Sequence, residues 1–245
     1  ASALGEKLPG DRHSPLLNAL RLDKGFLSTA GLPFDERYRS YVQVFPDDAA
    51  AAMLRQPRDG EHDALAKAFG AATSTDELNQ MLAVDAQTQL PDDLLLLTDK
   101  MSMAVSLECR VPLLDHELVE LAARMPQEVK IRGGRLKHVL KAALKDILPS
   151  DILERKKRGF GTPMGAWLKG ELAPLLSELL SAESIEARGL FRPPEVAALI
   201  AAHAANRLDG TDRLLALLNL EIWARMYLDG RAPADVADEL KAVTP

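Results

Sequence analysis

The feature that most restricts this chain's fold is the spacing of its apolar residues. From Ser74 to Gly230 they recur every three or four positions, in segments closed by proline or glycine. That period gives each segment the apolar stripe of an α-helix. Ser74, with Glu77 three residues on, reads as a capping box opening a helix with Leu78, Met81 and Leu82 on one face. Pro91 interrupts. Asp92 and Asp93 then fall in the first turn of a second helix running to about Val105, at the end that favours carboxylates. Asp115 caps a third, with Leu118, Leu121, Ala122 and Met125 inward and Pro126 as its stop. Leu136, Val139, Leu140, Ala143, Leu144 and Ile147 mark a fourth, ended by Pro149. Thr162-Pro163 reads as a cap and first-position proline of a short helix through Trp167. Pro193-Pro194-Glu195 opens another, with Val196, Leu199 and Ile200 inward, and Gly210 separates it from a helix over 214–228 that Gly230 ends. Only residues 41–45 and 128–131 read as short strands, without hairpin signals. The expected fold class is all-α. A seam at 56–61 divides an expected helical linker, 1–60, from the main helical body, 61–245.

At 245 residues and 47% hydrophobic composition the chain can bury a real core. No stretch approaches the ~20 continuous apolar residues of a membrane span. The first fifteen residues hold no apolar block, so the expected location is cytoplasmic. The single cysteine, Cys109, excludes an internal disulfide and a cysteine metal cluster, and reads as a small core filler. The first residue is alanine, which suggests a processed chain or a fragment.

The net charge of −6 hides an asymmetry. Between Arg124 and Arg158 stand eleven Lys/Arg against four Asp/Glu, a local balance of +7 in an acidic protein. Such a field suits a small polyanion such as a nucleotide polyphosphate. Nucleic acid fits less well, because the window has almost no interleaved aromatics.

Three stretches carry candidate chemistry: Leu90 to Ala104, Val105 to His116 and Glu154 to Pro163. In the last, Arg155-Lys156-Lys157-Arg158 are mutually repulsive and useless to a core. Gly159 and Gly161 follow, free to approach a ligand, with Phe160 as an anchor between them. This is either a solvated basic turn or a loop that brings lysine to a developing negative charge. Glu108 and Arg110 lie two apart beside an apolar run, as a structural ion pair or as catalytic groups. Spacing alone does not decide the role of Asp99 and Lys100.

In this order and spacing, the stretches resemble the synthetase domain of the glutamine-dependent asparagine synthetases and their relatives. The family reads roughly L-P-D-D-L-L-x-K-x-D-R-x-S-M-A-x-S-L-E-A-R-x-P-L-L-D-H, then K-x-x-L-(K/R), then R-x-K-x-G-F-x-x-P. Here these correspond to Leu90–His116, Lys137–Lys141 and Arg155–Pro163, and Leu218-x-Leu220-Glu221-x-Trp223 matches the family's closing helix. The resemblance implies the helical carboxy-terminal part of an adenine-nucleotide α-hydrolase-like (PP-loop) synthetase domain. It also implies an enzyme that adenylates a carboxylate, aspartate first among candidates, with ATP and Mg²⁺. Ammonia drawn from glutamine by an amino-terminal domain would then displace AMP. By the same resemblance Lys157 stabilises the adenylate and transition state, and Glu108 orients substrate or a catalytic partner. Asp99, Lys100, Arg110, Arg155, Gly159, Phe160 and Gly161 would line the substrate and nucleotide side; no metal ligand is expected in this chain.

Lys100 stands where arginine is usual, keeping the charge but losing the planar fork. Leu97 replaces a common lysine and Cys109 a common alanine. The family's S-G-G-x-D-S loop for ATP occurs nowhere in the sequence. The expectation is a fragment inactive alone, whose partners are the glutaminase and ATP-loop regions. Apolar surface left for the missing sheet would also favour a homodimer. Two other readings remain at this point. One is a relative acting on another carboxylate, such as a sugar acid, peptide or β-lactam precursor; the other is a non-catalytic helical binding module.

Overall fold

The computed structural model describes residues 29–56, 63–74, 76–155 and 162–243, and all their regular structure is helical. The all-α expectation holds. No strand forms at 41–45 or 128–131: Tyr41 and Val42 end one helix and Glu128–Lys130 lie in another. Each segment lacks a neighbouring strand to pair with, and local helical bonding wins. No described helix is long and apolar enough to cross a membrane.

The chain divides into two compact units, one formed by 1–59 with 161–245 and the other by 60–160. The first contains α1 (Phe34–Val42) and α2 (Asp47–Met53). It continues with α10 (Met164–Lys169), α11 (Ala173–Leu179), α12 (Ala182–Arg188), α13 (Pro193–Ala204), α14 (Thr211–Tyr227) and α15 (Pro233–Val243). Its core gathers Met53, Leu168, Leu176, Leu179, Val196 and Leu214. The expected inward stripe of α13 is confirmed by buried Val196 and Leu199, with Ile200 packed at the core's edge. At the start of α10, Pro163 is itself the cap residue and Thr162 makes no capping bond, so the expected Thr-Pro cap is corrected by one position. The core is bound to the early segment by a short antiparallel exchange. Arg55 N–H donates to Leu190 O at 3.0 Å and Arg192 N–H to Met53 O at 2.9 Å.

A buried ion network joins the far side of this unit. Glu221 on α14 is 6% exposed. Arg188, ending α12, donates through Nε and Nη2 to its two oxygens at 3.0 Å each. The same guanidinium makes a second fork on Asp229, both bonds at 2.8 Å. Arg225 donates to Glu221 at 3.0 Å and also pairs with Glu239 of α15. Glu239 Oε2 lies 2.7 Å from Arg231 Nη2, at an angle outside that of a hydrogen bond. A buried carboxylate is tolerable only when paired and hydrogen-bonded, and two arginines meet that need here. The hydrogen bonds that Arg188 donates to Asp229 and Glu221 raise its pKa further above the usual range.

The second unit contains α3 (Ala64–Ala71), α4 (Glu77–Gln87), a π-helical stretch (Leu90–Leu95) and α5 (Leu96–Met103). A 3₁₀ turn (Pro112–Leu114), α6 (His116–Arg124), α7 (Gln127–Lys130), α8 (His138–Ala143) and α9 (Ser150–Leu153) follow. Three expectations are corrected here. Asp76, not Ser74, caps α4: its side chain accepts from Asn79 N–H at 2.8 Å, while the Ser74 hydroxyl donates to Asp76. The Ser74 hydroxyl accepts the Asp76 N–H at 3.4 Å instead, so Ser74 lies ahead of the helix and the charged acceptor takes the cap. Pro91 does not interrupt; the backbone widens into the π-helix around it, which accommodates a residue with no N–H to give. The fourth helix shortens to α8 because Gly133 and Gly134, at φ 56° and 74°, turn the chain and Lys137 is left-handed at φ 56°.

Hydrogen bonds from the Asn79 backbone lead in holding Asp76 below the usual carboxylate range, and desolvation lowers Lys130, whose ammonium bonds Asn79. Among the described residues of this unit only Ala68 and Val84 are buried hydrophobics. Leu94, Leu97, Met101, Val105, Leu107 and Leu113 are all more than half exposed.

Two outcomes follow for the first unit. Removing one partner of a buried ion pair strands the other charge, so Glu221→Ala should lower its unfolding free energy by about 3–5 kcal/mol in urea titration. The Asp229 carboxyl is held low by the Arg188 hydrogen bond. Burial pushes Glu239 up, and Arg231 and Arg225 more than offset it. Both folded-state values therefore lie below the unfolded ones. The stability they contribute is present above the ordinary carboxylate range and is lost as pH falls through the lower folded values. The melting temperature should drop between about pH 5 and pH 3 by circular dichroism, and drop less in the Asp229→Asn variant.

Candidate functional site

The residues singled out by sequence, where described, fall in the second unit. α5 ends in a Schellman turn: Leu107 N–H bonds Ser102 O at 2.9 Å and Ser106 N–H bonds Met103 O at 3.0 Å. The left-handed position this motif requires, usually glycine, is Ser106 at φ 60°. Its effect is to stop the helix and lead Leu107–Val111 out as irregular chain, so that Glu108 and Arg110 leave the turn together. Their side chains form an ion pair at 2.6 Å, 66% and 82% exposed. The pair is therefore solvated, and neither group is locked by packing. Asp115 then caps α6, accepting from Glu117 and Leu118 N–H at 3.0 and 3.4 Å, which confirms its reading as a structural cap.

Asp99 and Lys100 are exposed on α5, and neither has an ion-pair partner among the described residues. The two do not pair with each other, since adjacent helical positions point about 100° apart. Cys109 is exposed, which corrects its reading as a core filler. Arg155 is exposed just after α9. Lys157, Gly159, Phe160 and Gly161 lie outside the described residues. The structure thus brings Glu108 and Arg110 together, and leaves Asp99, Lys100 and Arg155 as separate exposed charges. No group of three or more metal-ligating side chains converges among the described residues.

Sequence reading missed a connection within the basic window. Arg132 and Arg135 exchange backbone hydrogen bonds at 3.3 and 3.0 Å across Gly133-Gly134, a type I′ turn. The Arg135 guanidinium then pairs with Glu154, next to Arg155. The Arg-Gly-Gly-Arg turn signal was present in the sequence; its distant carboxylate partner was not. Also missed was His203, at 2% exposure the most enclosed titratable side chain described. Its signal was a histidine in register with Val196 and Leu199.

Comparison with known proteins gives the class. The asparagine synthase family model matches residues 8–225, and the chain belongs to that family. Glutamine-hydrolyzing asparagine synthetase 1 of Bacillus subtilis (strain 168) is 30% identical over 223 residues, covering 90% of this chain and 35% of that protein. A putative glutamine-hydrolyzing asparagine synthetase of Mycobacterium tuberculosis (strain ATCC 25618 / H37Rv) is 31% identical over 227 residues, covering 90% and 34%. Asparagine synthetase 3 of B. subtilis is 54% identical over 59 residues, 24% of this chain and 10% of that protein. The chain spans about a third of the length of the first two. No solved structure matches.

The Schellman turn makes position 106 sensitive to side-chain shape. Ser106→Val, with branching at a left-handed residue, should destabilise the second unit by about 1–2 kcal/mol, whereas Ser106→Gly should be neutral or stabilising. Amide hydrogen exchange across α5 would read both.

Proposed function

We propose that this chain is the helical part of an ATP-dependent ligase that activates a carboxylate, aspartate first among candidates, as its adenylate and converts it to the amide with ammonia from glutamine. The observation that supports this reading best is the character of the second unit. Asp99, Lys100, Glu108, Arg110 and Arg155 are exposed there, among large apolar side chains left without cover. Charges scattered over a solvated helix need no apolar surround. Charges on an apolar face are suited to a second layer that excludes water and strengthens their fields.

In this reading Lys157 neutralises negative charge as it develops on the reacting acyl phosphate. Glu108, solvated and paired to Arg110, orients the incoming group or its catalytic partner, and Arg110 is available to an anionic oxygen once Glu108 is engaged. Lys100 and Arg155 add positive potential, and Asp99 accepts hydrogen bonds beside them. Gly159, Phe160 and Gly161 follow Lys157 in the sequence and contribute to nucleotide binding. The described residues do not by themselves form a Mg²⁺ site. ATP and Mg²⁺ would be held mainly by residues of the ATP-loop region, which with the glutaminase is the proposed partner. ATP supplies the activating phosphate.

Two measurements test this. In the protein assembled with its ATP-loop and glutaminase regions, Lys157→Ala should leave glutamine hydrolysis nearly intact and slow amide synthesis by ~10² or more. An unchanged synthesis rate removes Lys157 from the mechanism. The chain by itself should release no pyrophosphate from ATP with aspartate and ammonia, and detectable release would overturn its dependence on a partner.

A further inference from the structure

On a continuous helix, residues two apart lie about 200° from each other around the axis and do not meet. Glu108 and Arg110 are two apart, yet they pair at 2.6 Å. They meet because residues 107–111 have left the helix as irregular chain, where alternate side chains can share a side. The change of path is made at Ser106, left-handed at φ 60°. Met103 O accepts the Ser106 N–H, and Ser102 O accepts both the Val105 N–H, at 3.1 Å, and the Leu107 N–H. At the other end of the strap, Val111 O accepts the Leu114 N–H at 2.9 Å. Pro112 O then accepts the Asp115 N–H at 3.3 Å, just before α6 begins. The strap is thus tied at both ends, while Glu108 and Arg110 themselves are exposed. No packing holds the two side chains, so the path of the backbone decides where they stand.

Glycine would take the left-handed conformation without strain, and asparagine tolerates it. Serine takes it at a cost, and its exposed hydroxyl makes no hydrogen bond among the described residues to offset that cost. Strain of this kind persists where the surrounding bonds over-determine it, as the bonds to Ser102 and Met103 do here.

We propose that Ser106 is a positioning residue for the ligase reaction: by ending α5 in a left-handed turn it brings Glu108 beside Arg110 and sets the direction from which Glu108 meets the substrate. It acts through its backbone and not through its hydroxyl. The inference rests on the role proposed for Glu108.

The test is made in the assembled protein, at a temperature where circular dichroism finds every variant folded. Ser106→Gly and Ser106→Asn both accept the left-handed turn and should keep kcat for amide synthesis within about threefold of the parent. Ser106→Val should cut kcat about tenfold with KM within about twofold. In a Glu108→Gln background, Ser106→Val should cause no further loss, because the two residues act as one unit. A full loss in that background would overturn the proposal. Equal kcat values across the three Ser106 variants would overturn it too, and if all three are low the hydroxyl is the acting group. If Ser106→Val does not fold, Ser106→Thr decides, since it keeps the hydroxyl and adds the branch. A fall in kcat of about twofold or more then supports the proposal, and an unchanged kcat overturns it. Glu108→Gln alone is assayed in parallel. Unchanged synthesis there removes the underlying reading and this one with it; slowed synthesis there with equal Ser106 variants removes Ser106 alone.

Discussion

The double fork of Arg188 is the interaction on which the first unit depends. One planar guanidinium closes on Glu221 in one direction and on Asp229 in another, and Glu221 passes the connection to Arg225 and so to α15. A lysine in that place would keep the charge and lose both forks, since an ammonium is a point donor without a plane. The network also explains the family resemblance of the closing helix in physical terms. In Leu218-x-Leu220-Glu221-x-Trp223, Leu218 is core, Glu221 is the buried anion that joins α12 and α15 to α14, and Trp223 stacks on Tyr227 at 5.8 Å. The matched residue in that motif is architectural.

The second unit is built on the opposite principle. Its helices carry good caps and turns, yet most of its large aliphatic side chains are exposed. Local signals suffice to form the helices but not to bury them, because burial needs a surface that these helices do not offer one another. A fold whose apolar face and whose candidate ionisable residues share one unit is suited to complete its site by covering that face.

Much of this was legible in the sequence, and the failures share a cause. Asp115 as a cap, Gly210 and Gly230 as boundaries, and the inward stripe of α13 depend on neighbours within four residues, and each was readable. The competition between Ser74 and Asp76, the widened backbone at Pro91 and the exposure of Cys109 depend on what else is present to bond or pack, which spacing does not encode. The same holds for the site. Glu108 and Arg110 announced themselves by chemistry and proximity. The partnership of Arg135 with Glu154, and of His203 with Gly165, 38 residues away, became visible only in three dimensions.

The π-helical stretch at Leu90–Leu95 carries a consequence for how this surface tolerates change. Such a stretch holds one residue more than an α-helical path between the same ends. Each residue of an α-helix advances the azimuth by about 100°. Deleting a single position there would let the backbone relax to ordinary α geometry while leaving everything beyond it in register. Inserting one elsewhere in α5 would swing Asp99 and Lys100 about a quarter-turn around the axis. Length variation along this stretch is therefore not equivalent from one position to the next: the widened turn can absorb a lost residue, and the regular helix after it cannot absorb a gained one.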